Sequence, residues 1–181
     1  ADVTLLDKSR ARLKEIDMLF GSGIKTLMSN SSNIEEAVRD ADLIIGAVLV
    51  PGAAAPKLLN RAMLKQLRAG AVLVDVAIDQ GGCFETSHAT THAEPTYVVD
   101  GIVHYCVANM PGAAPRTSSE ALNNATLPFG LALADHGLEA LKKDPHLARG
   151  LNVLKGEITY PAVAQALGMD WSDPFGVWAK G

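Results

Sequence analysis

The sequence predicts an α/β fold built on a parallel sheet, and two observations support this. Short apolar runs alternate with helical segments of about 8 to 12 residues, which is the pattern of βαβ units. Several of these runs end in polar or glycine-rich turns, the place where open parallel sheets bind ligands. The length of 181 residues fits one domain of ordinary size with an appendage.

The first half of the chain contains four apolar runs that predict strands, and helical patterns separate them. Strands are expected at 3–6, 24–28, 43–47 and 72–76, and helices at 9–20, 34–39 and 60–67. Gly21 and Gly23 are expected to end the first helix, and Asn33 to cap the second. Because the crossovers connect parallel strands, they should be right-handed.

The sheet pattern ends after Asn109, and helices follow. Two more strands and one late helix are expected at 97–100, 102–107 and 161–167. Thr117-Ser-Ser-Glu120 has the form of a capping box and predicts a helix that runs toward His136. Pro128 should kink this helix, because proline lacks a backbone donor. These C-terminal helices need an apolar partner surface.

Composition excludes several functional classes. The net charge of −4 argues against a dedicated nucleic-acid surface, and no apolar run approaches the roughly 20 residues that span a bilayer. Cys83 and Cys106 match neither a disulfide framework nor a zinc pattern, so two reduced thiols in a cytoplasmic protein are expected. The chain starts inside a predicted strand, without Met or a signal peptide, which suggests a fragment of a longer protein.

Two strand ends carry acids that could bind a ligand. Asp79 and the glycines that follow it, Gly81 and Gly82, come after the most apolar strand, where a cofactor would meet its substrate; an ordinary turn is the alternative. Asp7 ends the first strand and could accept hydrogen bonds from an adenosine ribose, which would favour NAD over NADP, or could simply cap the next helix. The nearby Arg10 and Arg12 weaken the preference for NAD.

The histidines do not predict a metal site. His88 and His92 lie in a polar loop with no Cys or carboxylate to complete a ligand set, so a solvated loop is expected. His136 has no partner in its own helix.

Five segments together resemble one enzyme family. They are Gly46-Ala-Val-Leu-Val-Pro-Gly52, Val74-Asp-Val-Ala-Ile-Asp-Gln-Gly-Gly-Cys-Phe-Glu85, Thr91-His-Ala-Glu-Pro-Thr96, Tyr105-Cys-Val-Ala-Asn-Met-Pro-Gly112 and Asn124-Ala-Thr-Leu-Pro128. The chain resembles bacterial NAD-dependent alanine dehydrogenases over nearly its whole length. The resemblance implies reversible oxidative deamination of L-alanine to pyruvate and ammonia, with NAD as cofactor, in a cytoplasmic homohexamer.

The same resemblance implies a domain plan and a set of site residues. Residues 1–116 would be a Rossmann domain without its first strand and glycine loop, and residues 117–181 C-terminal helices that pack on a missing N-terminal catalytic domain. Asp79 would be the catalytic acid. The implied cofactor-binding residues are Asp7, Arg12, Ser29, Val48, Leu49, Val76, Ala77, Ile78, Asp79, Val107, Ala108, Asn109 and Met110.

The chain also departs from the family pattern. The glycine loop, the substrate-binding Arg and Lys and the catalytic His are absent from these 181 residues. His88 stands where some relatives carry an Arg that contacts the cofactor, and Ala132 where some carry a metal-binding Glu, so no metal is expected. Two alternatives stay open: the NAD(H)-binding subunit of proton-translocating transhydrogenase, and a non-catalytic cofactor-binding fragment.

Overall fold

The computed structural model describes residues 1–179, and the chain forms two compact units. The first unit comprises residues 1–48 and 55–108, and the second comprises residues 49–54 and those from 109 onward. The predicted division after residue 116 stays a prediction about domains in the full-length protein. Among residues 1–179, no helix combines the length and apolar character needed to cross a bilayer.

The first unit alternates strands and helices. Its elements are β1 Val3–Asp7, α1 Arg10–Phe20, β2 Ile24–Met28, α2 Ser31–Arg39, β3 Leu43–Gly46, α3 Arg61–Leu64, β4 Val72–Asp75, β5 Thr96–Val99 and β6 Ile102–Tyr105, with a 3-10 turn at Val76–Gln80. β1 and β2 pair in parallel, and a second sheet has the order β3-β4-β6-β5. In that sheet only β5 is antiparallel, so the predicted α/β fold with a parallel sheet is confirmed.

The core of the first unit packs around β4. Leu73 is fully buried, and Leu59, Leu64, Phe84 and Ile102 are 1% exposed each. Burying one such side chain stabilises the fold by about 1.5–3 kcal/mol. Three of these residues belong to loops or to the short helix α3, so the loops that follow β3 and β4 are fixed to the sheet.

The second unit is mainly helical. Its elements are a 3-10 turn Met110–Ala113, α4 Pro115–His136, α5 Glu139–Lys143, α6 Pro145–Ala148, β7 Val153–Leu154, β8 Glu157–Ile158, α7 Pro161–Leu167 and α8 Pro174–Ala179. The late helix at 161–167 is confirmed. The two-residue hairpin β7–β8 was not predicted. α4 has no buried residue, and it exposes the apolar side chains Leu122, Leu127, Phe129, Leu131 and Leu133.

Three predictions about the helices are wrong. α2 begins at Ser31, and its cap is Asn30, whose Oδ1 accepts the N–H of Asn33 at 2.9 Å. α4 begins at Pro115, where proline already has the backbone angle of a first helical residue, so the Thr117–Glu120 segment lies inside the helix and caps nothing. The helix expected at 60–67 is the shorter α3, Arg61–Leu64.

Candidate active site

Three parallel strands of the larger sheet end side by side. Gly46 at the end of β3 is paired with Asp75 at the end of β4, and Val74 is paired with Tyr105 at the end of β6. The chain leaving these ends carries predicted cofactor-binding residues of the first unit, namely Val48, Val76, Ala77, Ile78, Val107 and Ala108. The structure therefore brings these segments to the carboxyl edge of one sheet, the edge at which open α/β folds bind ligands.

Asp79 lies in the 3-10 turn that follows β4, and its side chain is exposed. The two residues before it, Ala77 and Ile78, are buried and fix the turn to the core. The backbone N–H groups of Gly81 and Gly82 donate to the carbonyls of Ile78 and Ala77, at 3.0 Å each. Asp79 thus presents a carboxylate to solvent from a turn that is folded back on itself.

Gly82 makes this turn possible. Its φ of +74° is a backbone angle that other L-residues rarely adopt. A Cβ at this position would lie 2.7 Å from Cβ of Ser87 and 2.8 Å from Oδ2 of Asp75. The turn can therefore close over Asp75 only because residue 82 has no side chain.

Asp75 is a fully buried carboxylate beneath the turn. Its Oδ2 accepts the N–H of Cys83 at 2.9 Å, the N–H of Phe84 at 3.4 Å and the hydroxyl of Ser87 at 2.5 Å. These donors offset the cost of burying a charge that forms no salt bridge with any residue in 1–179. Burial, together with the nearby charge of Asp75, raises the pKa of the Cys83 thiol to about 12.

Sequence reasoning missed Asp75 and Lys57, whose side chains bond the residues that directly follow this turn. Lys57 donates to the carbonyls of Gly81 and Gly82 at 2.6 and 2.7 Å. A signal for Asp75 was available, because a carboxylate inside the apolar run 72–78 must be satisfied when that strand is buried. Nothing local in the sequence marked Lys57, whose partners are 24 and 25 residues away.

The ends of β1 and β2 also meet, and they bring together two predicted adenosine-side residues. The N–H of Ser29 donates to the carbonyl of Asp7 at 2.9 Å, and Oδ1 of Asp7 accepts the N–H of Ser9 at 2.6 Å. Arg12 lies in the first turn of α1, and its guanidinium pairs with Glu15 at 2.6 Å. The cap of α1 is Ser9, whose Oγ accepts the N–H of Arg12 at 3.2 Å. The alternative in which Asp7 caps this helix is therefore wrong: Asp7 bonds only the backbone of the cap residue and lies at the strand end.

The polar loop after the turn is held by stacked rings. The ring of His88 stacks on Tyr97 with centroids 3.6 Å apart, and Tyr97 stacks on the buried His104 at 4.9 Å. The hydroxyl of Tyr97 donates to the carbonyl of Thr86 and accepts the N–H of His88, both at 2.9 Å. This loop is therefore an ordered structure. Among residues 1–179, no group of three or more His, Cys, Asp or Glu side chains could hold a metal ion.

His104 is buried in its neutral form. Its Nδ1 lies 3.0 Å from the carbonyl of Ile102, which can only accept, so Nδ1 carries the proton and Nε2 accepts the hydroxyl of Thr86 at 2.7 Å. Burial lowers the pKa of His104, and the neighbouring His88 also lowers it.

A stability change with pH follows from this burial. Below the unfolded-state pKa of about 6.5, the unfolded chain binds a proton that folded His104 does not, so acid should destabilise the fold. Between pH 7 and the lowered folded-state pKa, the free energy of unfolding should fall by up to about 1.4 kcal/mol per pH unit from this residue. Urea denaturation of the full-length protein at several pH values, compared with a His104→Gln variant, measures this. Equal slopes in both proteins would contradict it.

Three predicted cofactor-binding residues belong to the second unit. Leu49 is 76% exposed in the segment 49–54. Asn109 directly precedes the 3-10 turn that Met110 begins, and its carbonyl accepts the N–H of Gly112 at 3.0 Å.

His136, which predicted no metal site, is the exposed last residue of α4.

Comparisons with known proteins agree with this geometry. The family model described as alanine dehydrogenase/PNT, C-terminal domain, matches residues 1–161. An alanine dehydrogenase from Halomonas elongata is 64% identical over 172 residues, which are 94% of this chain and 46% of that protein. An alanine dehydrogenase from Staphylococcus haemolyticus is 55% identical over 95% of this chain and 47% of that protein.

The comparison with solved structures also finds an alanine dehydrogenase. One described as L-alanine dehydrogenase has a TM-score of 0.79 and 53% identity, covering 93% of this chain and 46% of that one. A transhydrogenase from Sinorhizobium meliloti has a TM-score of 0.68 at 24% identity, which is a likeness of fold alone. The chain spans about half the length of the curated relatives it matches. From the match over residues 1–161, the chain belongs to the alanine dehydrogenase/PNT C-terminal domain family.

Proposed function

We propose that the full-length protein containing this chain is an NAD-dependent alanine dehydrogenase, which reversibly converts L-alanine to pyruvate and ammonia. The observation that carries the proposal is the exposed carboxylate of Asp79, held by a closed turn at the carboxyl edge of the parallel sheet. Relatives that are 55–64% identical over 94–95% of this chain are alanine dehydrogenases, which supports the choice of reaction.

The chemistry of the strand ends fits NAD. Asp7, at the end of β1, is an acceptor suited to ribose hydroxyls, and Ser29 lies beside it. Val76 is 48% exposed at the edge of the larger sheet, an apolar surface suited to a flat ring. When bound, NAD supplies the hydride acceptor. The other proposed contacts on the cofactor are those of Arg12, Val48, Leu49, Ala77, Ile78, Asp79, Val107, Ala108, Asn109 and Met110.

Asp79 is the proposed catalytic acid of this half of the protein. Its carboxylate would act on the reacting end of the substrate, while Ala77 and Ile78 keep the turn fixed to the core. The proposed partner is a histidine in the N-terminal half, together with the Arg and Lys that bind the substrate. Removing the Asp79 carboxylate would thus leave the fold intact but take away the proposed catalytic acid.

We also propose the setting in which this site operates. Residues 1–116 form the NAD-binding domain, and residues 117–181 return to an N-terminal catalytic domain. The exposed apolar residues of α4 support this arrangement, because such a long uncovered face favours contact with another domain or subunit. A cytoplasmic homohexamer without a metal requirement is the proposed state of the enzyme.

An assay of substrate dependence tests the proposal. Purified full-length protein should reduce NAD only when L-alanine is present, and should form pyruvate in equal amount. The 181-residue chain alone should show no turnover, because hydride transfer needs a substrate held in near-attack geometry. Hydride exchange between NADH and an NADP analogue, without alanine turnover, would favour the transhydrogenase alternative. Alanine-dependent reduction of NAD by the isolated chain would contradict the proposal that part of the active site lies in the N-terminal half.

A further inference from the structure

A short segment of the loop after β3 lies along the turn that carries Asp79. We call residues 55–59 the bracing segment. The N–H of Ala55 donates to the carbonyl of Gln80 at 2.9 Å, and the N–H of Leu58 donates to the carbonyl of Cys83 at 2.7 Å. Further along, the N–H of Glu85 donates to the carbonyl of Leu59 at 2.8 Å. The bracing segment therefore bonds the stretch from Gln80 to Glu85, which directly follows Asp79.

Lys57 fills the interval between these backbone bonds. Its Nζ donates to the carbonyl of Gly81 at 2.6 Å and to the carbonyl of Gly82 at 2.7 Å. A charged donor bound to two carbonyls forms stronger hydrogen bonds than a neutral donor does. Gly81 and Gly82, which have no side chains, are thus both bonded by one ammonium group.

The same two glycines connect Lys57 to the residues just before Asp79. Their N–H groups bond the carbonyls of Ala77 and Ile78, while their carbonyls bond Lys57. On the inner side, Asp75 bonds the N–H of Cys83. Two charged groups therefore bond the residues that directly follow Asp79, namely the buried carboxylate of Asp75 and the exposed ammonium of Lys57.

We propose that Lys57 is a positioning residue for Asp79, acting through the carbonyls of Gly81 and Gly82. This inference rests on the proposed catalytic role of Asp79. Lys57 is not assigned a contact with substrate or cofactor; it fixes the peptide groups on which the Asp79 carboxylate depends. Displacing a catalytic group by about 1 Å can lower the rate about 100-fold. Loss of the hydrogen bonds from Lys57 should therefore lower turnover.

Amide hydrogen exchange tests whether Lys57 stabilises this segment, and it needs no activity assay. In the full-length protein without cofactor, Lys57→Met should speed amide exchange in a peptide that covers residues 76–84. Lys65→Met is the matched control, because Lys65 is an exposed lysine at the end of α3 and should leave that peptide unchanged. Lys57→Arg, which keeps the charge, should exchange more slowly than Lys57→Met. Unchanged exchange in Lys57→Met would overturn the proposal.

A double-mutant cycle tests whether Lys57 acts through Asp79. In the full-length protein, Lys57→Met should lower kcat by about 10- to 100-fold, with a smaller change in the KM for L-alanine. Added to Asp79→Asn, the same substitution should cause no further loss, since residues acting as a unit are not additive. Lys57→Arg should recover part of the rate.

The outcomes separate this inference from the function on which it rests. If Asp79→Asn is inactive but Lys57→Met turns over normally, or if the two losses are additive, the positioning role is wrong and the proposed function stands. If Asp79→Asn keeps normal turnover, the proposed function of Asp79 fails, and the role of Lys57 fails with it.

Discussion

Replacing Asp79 by Asn should lower kcat of the full-length protein by about 10²- to 10⁴-fold, the contribution typical of a positioned acid or base. The substitution keeps the shape of the side chain and removes its ability to transfer a proton. Because Asp79 is exposed and the adjoining Ala77 and Ile78 supply the buried contacts, the fold should be retained. Steady-state kinetics with L-alanine and NAD measure the first effect, and thermal unfolding the second.

The control for this experiment is Asp17→Asn, which makes the same charge change at an exposed position of α1. It should leave kcat and the melting temperature close to those of the unchanged protein. Near-normal turnover in Asp79→Asn would remove Asp79 from the mechanism. A large loss of melting temperature in Asp79→Asn would instead show that the residue is needed for folding.

Gly46→Ala should lower the free energy of unfolding, because the added methyl group has no room in the core. Gly46 is buried at the end of β3, and a Cβ there would collide with Sγ of Cys83 and lie 2.7 Å from Cζ of Phe84. Both neighbours are fully buried or nearly so, and neither can move without disturbing the core. Overpacking of this kind costs about 1–3 kcal/mol, measured as the change in the free energy of unfolding in urea.

Gly23→Ala provides the comparison for Gly46→Ala. An added Cβ at Gly23 would meet nothing within 4 Å, and its backbone angle suits other residues. That variant should be neutral or slightly stabilised, because alanine reduces the entropy of the unfolded chain. Gly46→Ala should also lower turnover, since displacing Cys83 moves the end of the Asp79 turn. Equal free energies of unfolding for the two variants would show that the core around Cys83 and Phe84 rearranges to accommodate the added methyl group.

The sheet was predictable because its strands are runs of apolar residues bounded by clear turns. The strands Val72–Asp75 and Leu43–Gly46 match the predicted strands to within one residue. Helix starts were less predictable. Asn30 and Asn33 are both residues that can cap α2. In the structure Asn30 caps it, and the side chain of Asn33 donates to the carbonyl of Met28 instead. The Thr117–Glu120 pattern was overridden by Pro115, which begins the helix earlier.

The positions of site residues were predictable where these residues lie at the end of a predicted strand. Asp7 and Asp79 follow apolar runs, so their place at the carboxyl edge could be read from the sequence. Asp75 and Lys57 depend on contacts with residues far along the chain, and no short spacing encodes such contacts. The roles of individual residues toward NAD came from family resemblance, and they stay predictions until variants are measured.

The bracing segment has a consequence for the order in which the site assembles. Lys57 and its two acceptors are separated by 24 and 25 residues, with β4 between them. The turn therefore gains its final form only after β4 has joined the sheet and the loop has docked back on it. Undocking residues 55–59 would be a local opening that needs less free energy than global unfolding. A protein in that state would retain its sheet and the Asp7 end of the site but would have lost the alignment of Asp79.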